Sequence, residues 1–163
     1  MNGSVSRLRA VVRRATMVLV SAALVGAAVS STARASGATV TSGEFHAFAA
    51  GVGLDISGHA VLVRTADGTT IVSVHVEGLA PNTTYGSHVH QTACSANFAD
   101  GHFRFDPAGP ARPPNEIWPG PFTTNPAGVG NGNTMAEGTA GPEAVSVVVH
   151  APDGSKIACA DLA

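Results

Sequence analysis

Val72, Val74 and Val76 alternate with Ser73, His75 and Glu77, the period of two that places apolar side chains on one face of a strand and polar ones on the other. The run His59-Ala-Val-Leu-Val-Arg-Thr precedes them, and Ala66-Asp-Gly-Thr lies between the two. Two β-branched runs around an Asp-Gly turn predict a β-hairpin. The pattern recurs near the C-terminus, where Ala144-Val-Ser-Val-Val-Val-His, Pro152-Asp-Gly-Ser and Lys156-Ile-Ala-Cys follow one another, and a second hairpin is predicted there. From residue 37 onward no segment sustains a 3.6-residue apolar period with caps, and glycine and proline recur every few residues. Helix content should be low, and the architecture an antiparallel sandwich or barrel. The stretch 107–141 is rich in Pro, Gly and Asn and holds a single short strand candidate, Pro121-Phe-Thr-Thr-Asn. A loop of that length in a small domain is usually functional or disordered.

The N-terminal segment has a different pattern. Arg7, Arg9, Arg13 and Arg14 precede an uncharged apolar run from about residue 15 to 30, which ends at Ala33-Arg34-Ala35. The run is shorter than the roughly 20 residues of a membrane span, and small residues stand at its exit, as in a cleaved secretory signal. Residues 1–35 are therefore expected to be a signal peptide, and residues 36–163 one exported domain. No cysteine follows the apolar run before Cys94, which argues against a lipid anchor there.

Charge narrows the partners. Of nine basic residues only Arg64, Arg104, Arg112 and Lys156 lie beyond residue 35, against all eleven acidic ones. So acidic a domain is a poor ligand for nucleic acid or an anionic membrane, and any anionic substrate must be attracted locally by those few cations. Two cysteines far apart, Cys94 and Cys159, in a chain bound for an oxidising compartment predict one long-range disulfide.

The histidines are the candidate chemistry. His88 and His90 flank Val89, and on an extended strand residues i and i+2 point to the same side, so both imidazoles can reach one metal. A His-x-His pair is by itself weak evidence, since such residues are often ordinary half-exposed polar positions. His150 ends an apolar strand, where an imidazole without a partner is costly; a place at the solvent edge of the strand is the plainer reading. His102, in Asp100-Gly-His-Phe-Arg-Phe-Asp-Pro, is ambiguous locally. His46, His59 and His75 show no partner spacing and read as surface or satisfied histidines, with His75 on the wet face of its strand.

Taken in order, these elements resemble the copper–zinc superoxide dismutase family. Gly78-Leu-Ala-Pro followed by Gly86-Ser-His-Val-His resembles the strand with that family's first two copper histidines, and Cys94 follows as its first disulfide cysteine does. Gly101-His-Phe with Asp106-Pro107 resembles the segment with its copper–zinc bridging histidine. Val148-Val-His150 resembles the last copper ligand, and Ala158-Cys159 the second disulfide cysteine. The resemblance spans roughly residues 39–162. It implies an all-β, eight-stranded Greek-key sandwich or barrel, with copper held by His88, His90, His102 and His150, a Cys94–Cys159 disulfide, and dismutation of superoxide to oxygen and hydrogen peroxide in a monomer or homodimer.

The departures are as informative. Between Arg104 and Val149 there is no histidine and the only aspartate is Asp106, so the family's tetrahedral zinc site cannot be assembled here. Where its zinc aspartate is expected, near Asn115-Glu-Ile-Trp, the chain offers Pro119, Gly120 and Pro121. Four imidazoles without thiolate suit copper(II), and a copper-only centre without zinc is expected. His102 precedes Pro107 by five positions, a wider step than the family's, so a shifted register would put Arg104 in place of His102. Without zinc, the far nitrogen of His102 needs another partner, with Glu116 and Asp106 the nearby candidates. Lys156 stands where the family usually has an arginine that guides superoxide; it keeps the charge but loses the rigid donor fork, and Arg104 and Arg112 could assist. Lys156 and His102 are thus the candidate catalytic residues. A non-catalytic copper carrier of the same fold is the rival reading, and a metal-free interaction module a third.

Overall fold

The computed structural model describes residues 37–163, so the signal segment expected at residues 1–35 lies outside the described residues. The strands are β1 (Thr39–Glu44), β2 (His46–Ala47), β3 (Ser57–Arg64), β4 (Thr69–Glu77), β5 (Thr84–His90), β6 (Phe122–Thr123), β7 (Gly130–Glu137), β8 (Ser146–His150) and β9 (Lys156–Asp161). Among the described residues the one helical piece is a 3-10 turn at Ala49–Gly51. Two antiparallel sheets result, ordered β1-β3-β4-β7 and β2-β9-β8-β5-β6. β4 pairs with β7 and β5 with β8, the non-consecutive neighbours of a Greek-key sandwich. The expected all-β architecture is the observed one, and two of the nine strands, β2 and β6, are edge pieces of two residues each.

Both predicted hairpins form. β3 and β4 pair from Ser57↔Glu77 to Arg64↔Thr70, and Thr70, Val72, Val74 and Val76 turn inward while Ser73 and His75 turn outward. β8 and β9 pair with an irregularity between Val149 and His150. The 107–141 stretch differs from its expectation, because it contains the eight-residue strand β7 as well as β6. The core-facing positions of β7 are Gly130, Gly132, Thr134 and Ala136, so it shows no apolar alternation. The space its side chains would fill is taken from elsewhere: a Cβ on Gly130 would lie 2.3 Å from the Phe122 ring, and one on Gly132 2.2 Å from the Pro119 carbonyl.

The main core lies between the sheets, with Leu62, Val72, Val74 and Val76 on one side and Val89, Val147, Val149 and Ala158 on the other. β8 is buried on both faces. Its Val148 points outward and packs with Cys94, Ala99, Cys159 and Phe48. The segment after β5 therefore folds back over the outer face of the second sheet, tied there by the Cys94–Cys159 disulfide across 65 positions. Closing a loop of that length stabilises a domain by about 4 kcal/mol in the chain-entropy view.

Candidate metal centre

The alternation along β5 sends Tyr85 and Val89 into the core and leaves His88 and His90 on the outer face. His150 projects from the same face of the neighbouring strand, since Gly86 pairs with His150 and His88 with Val148. His102 arrives from the loop. It bridges His90 in antiparallel fashion, while the Phe103 amide donates to the Val89 carbonyl at 2.9 Å and its ring enters the core. Burial of Phe103 thus directs His102 outward onto the other three histidines. The structure brings together His88, His90, His102 and His150, each offering a ring nitrogen within 4.8 Å of the others. Arg104, the shifted-register alternative, lies instead beside Glu116, with Nε 3.4 Å from Oε1.

On His90 and His150 one ring nitrogen is held and the other is free. His90 Nδ1 faces the Ala99 carbonyl at 2.6 Å and His150 Nδ1 the Gly154 carbonyl at 3.2 Å, which fixes both as donors. Their Nε2 atoms, and Nδ1 of His88, are buried without a hydrogen-bond partner. Three unpartnered buried lone pairs in one cluster are costly in a metal-free protein and are what a cation requires. His102 completes the set, because its Nδ1 lies 2.8 Å from Glu116 Oε2 and leaves Nε2 for the cluster. Burial pushes the His88 imidazolium down to about 3, helped by the neighbouring His102 and His150. Burial likewise pushes His90 to about 3, against the Ala99 carbonyl and with the charges of His102 and Lys156. His150 is lowered too, mainly by burial. The rings stay neutral with lone pairs available, as a metal ligand must. Four imidazoles with no thiolate fit copper(II).

Of the two carboxylates considered for the far nitrogen of His102, the structure places Glu116 there. Its side chain is 1% exposed, and Oε2 also accepts from Trp118 Nε1 at 2.8 Å. Asp106 instead closes a turn, accepting from the Ala108 amide through Oδ1. Lys156 opens β9 beside His150 in register, and its Nζ donates to the Phe98 and Ala99 carbonyls, both at 2.9 Å. Asn97, Phe98 and Ala99 all have left-handed φ, near 50°, and this turn aims the Ala99 oxygen at both Lys156 and His90. Arg112 is on an exposed loop. The opening over the cluster is lined by Thr84, Gly86, His88, His102, His150 and Pro152, among others, and by no charged side chain.

Two participants carried no signal in the sequence. The Ala99 carbonyl is a main-chain group, invisible in residue identity. Trp118 lies with its ring centre 4.8 Å from that of His88, and no periodicity marks it.

No protein-family model matches the chain, and no curated protein matches its sequence. Solved structures do match. The copper(II) form of Candida albicans superoxide dismutase 5 aligns over 76% of this chain and 90% of that one, at 19% identity and a TM-score of 0.53. A single-substitution variant of the same protein gives 0.54 at the same identity and coverage, and a second variant gives 0.53 at 18% identity over 76% and 87% of the two chains. Identity this low speaks for the fold. With two Greek-key sheets, one disulfide and four histidines gathered on the outer face of the second sheet, the chain has the fold of the copper–zinc superoxide dismutases.

Proposed function

We propose that the chain is an exported, copper-dependent superoxide dismutase whose centre holds copper through His88 Nδ1 and the Nε2 atoms of His90, His102 and His150, without zinc. The observation that carries this reading is the convergence of four imidazoles whose free nitrogens are buried and unpartnered. Bound copper supplies a one-electron couple, by which one superoxide is oxidised to oxygen and a second, with two protons, is reduced to hydrogen peroxide.

The chain's own residues do the rest. The Ala99 and Gly154 carbonyls hold His90 and His150 in the tautomer that presents Nε2. Glu116 does the same for His102, and its contacts with Arg104 and Trp118 keep the buried carboxylate in place. His102 lines the opening, and its Nε2, when it is off the metal, is the atom suited to hold a proton and pass it to the reduced product. Lys156, fixed on its two carbonyls, contributes a positive charge beside His90 and His150 that favours an approaching anion. Residues 1–35 direct export and are removed, and the disulfide accords with an oxidising compartment.

A copper carrier is the second reading, favoured by one observation: the opening over the cluster has no charged side chain to draw superoxide in. Superoxide decay measured at defined copper loading separates the two. Decay far above that of the metal-free protein, proportional to bound copper, supports the dismutase; decay no faster than with the metal-free protein supports the carrier.

A further inference from the structure

On the face opposite the four-histidine centre, the outward side of the β1-β3-β4-β7 sheet, the register aligns a row of four polar residues across all four strands. Glu44 pairs with His59, His59 with His75, and His75 with Asn131. Glu77 joins them, two residues along the same face of β4 from His75. His59 and Asn131 are exposed and His75 is partly so.

We propose that His59 and His75 form a second, surface metal site for a borderline divalent cation, zinc(II) or copper(II), with the Glu77 carboxylate as third ligand. Directly opposed residues on antiparallel strands are the closest side-chain neighbours a sheet offers. Two imidazoles on one tetrahedral ion, at about 2.0–2.1 Å per nitrogen, have ring centres roughly 5 Å apart. The centres of His59 and His75 are 5.6 Å apart, inside the 4.3 to 6.4 Å spread within the four-histidine centre.

The hydrogen bonds around His75 also ask for a cation. Nδ1 lies 2.8 Å from Asn131 Oδ1, so this nitrogen donates, while Nε2 lies 3.0 Å from Glu77 Oε1. In the neutral ring Nε2 is a lone pair facing a carboxylate, two acceptors in contact with nothing positive between them. A proton fills that gap in the imidazolium. A metal ion fills the gap in the neutral ring, with Asn131 as the orienting partner on the far nitrogen. Among the described residues no hydrogen bond engages the His59 ring, which leaves it free to turn; its nitrogens do not already converge with His75 and Glu77, so binding requires that turn. The four basic and eleven acidic residues beyond residue 35 make the approach of a cation favourable.

Zinc(II) is titrated by calorimetry into the copper-loaded mature chain and into its His59→Ala and His75→Ala variants, with the imidazole resonances followed by NMR. The proposal expects one zinc equivalent in the unsubstituted chain, shifts at His59 and His75 together, and affinity lower by at least about tenfold, some 1.4 kcal/mol, in either variant. Isotherms unchanged in one or both variants overturn it. Both substitutions are at surface positions remote from the four-histidine centre, so the outcome is independent of whether that centre turns over superoxide.

Discussion

His102 Nδ1 lies 2.8 Å from Oε2 of Glu116, a carboxylate whose side chain is 1% exposed. A side chain of the protein itself therefore occupies that nitrogen and fixes which nitrogen of His102 faces the other three histidines. The same carboxylate is held by the Trp118 indole and flanked by Arg104. A buried carboxylate needs such partners, because leaving it unpaired is strongly destabilising.

Replacement of Glu116 by Gln should therefore leave copper uptake at one equivalent and lower the superoxide decay rate by about 10- to 100-fold, the usual cost of removing the partner of a metal-bound histidine. Metal content and rate measured on one sample check this. A variant with full activity would show that the His102–Glu116 contact is not part of turnover.

Acid should destabilise the metal-free protein through the buried rings. His88 and His90 titrate near 3 when folded, against an ordinary value of 6.5, so between those values the unfolded chain binds more protons and stability rises with pH. The contribution of the neutral rings is complete above about pH 6.5 and is lost as pH falls toward 3. Urea midpoints should fall across that window, and changing His90 to Gln should make the fall shallower. Midpoints equally pH-sensitive in that variant would remove His90 from the explanation.

Loss of the disulfide should act on both stability and metal. Cys94→Ser with Cys159→Ser should lower unfolding free energy by about 4 kcal/mol. It should also weaken copper retention, because the tethered segment delivers the Ala99 carbonyl to His90. Chemical denaturation and competition with a copper chelator report the two effects separately. Unaltered copper affinity would mean that the segment holds its place without the bridge.

Lys156 is fixed by two carbonyls, so its charge should act as a stationary attractor for anions. The Lys156→Met variant should turn over superoxide several-fold more slowly and show a flatter dependence of rate on ionic strength. An unchanged salt dependence would mean that Lys156 serves only to hold the Phe98–Ala99 turn.

Much of this was legible in the sequence where side-chain chemistry and period coincide. The alternation from Val72 to Glu77, the two Asp-Gly turns and the His88-Val89-His90 triplet gave the hairpins and half of the metal cluster, because each is a local pattern. β7 escaped because its inward positions are Gly130 and Gly132, made small by the Phe122 ring and the Pro119 carbonyl arriving from a distant loop. Glu116 could be nominated by proximity in the chain, but its choice over Asp106 depends on which residue is buried, a tertiary fact. The facing pair His59 and His75 was missed because partner spacing along the chain says nothing about residues opposed across a hairpin.

The most direct test of the four-histidine copper centre is metal content paired with superoxide decay for the mature chain, reconstituted with copper and zinc and then freed of weakly held surface metal with a mild chelator. The expected result is one copper with no retained zinc, a copper(II) spectrum of four nitrogen ligands, and decay proportional to copper, all lost in the His90→Ala variant. Stoichiometric zinc in the four-histidine centre, no retained metal, or copper that persists when His90 is removed would contradict it.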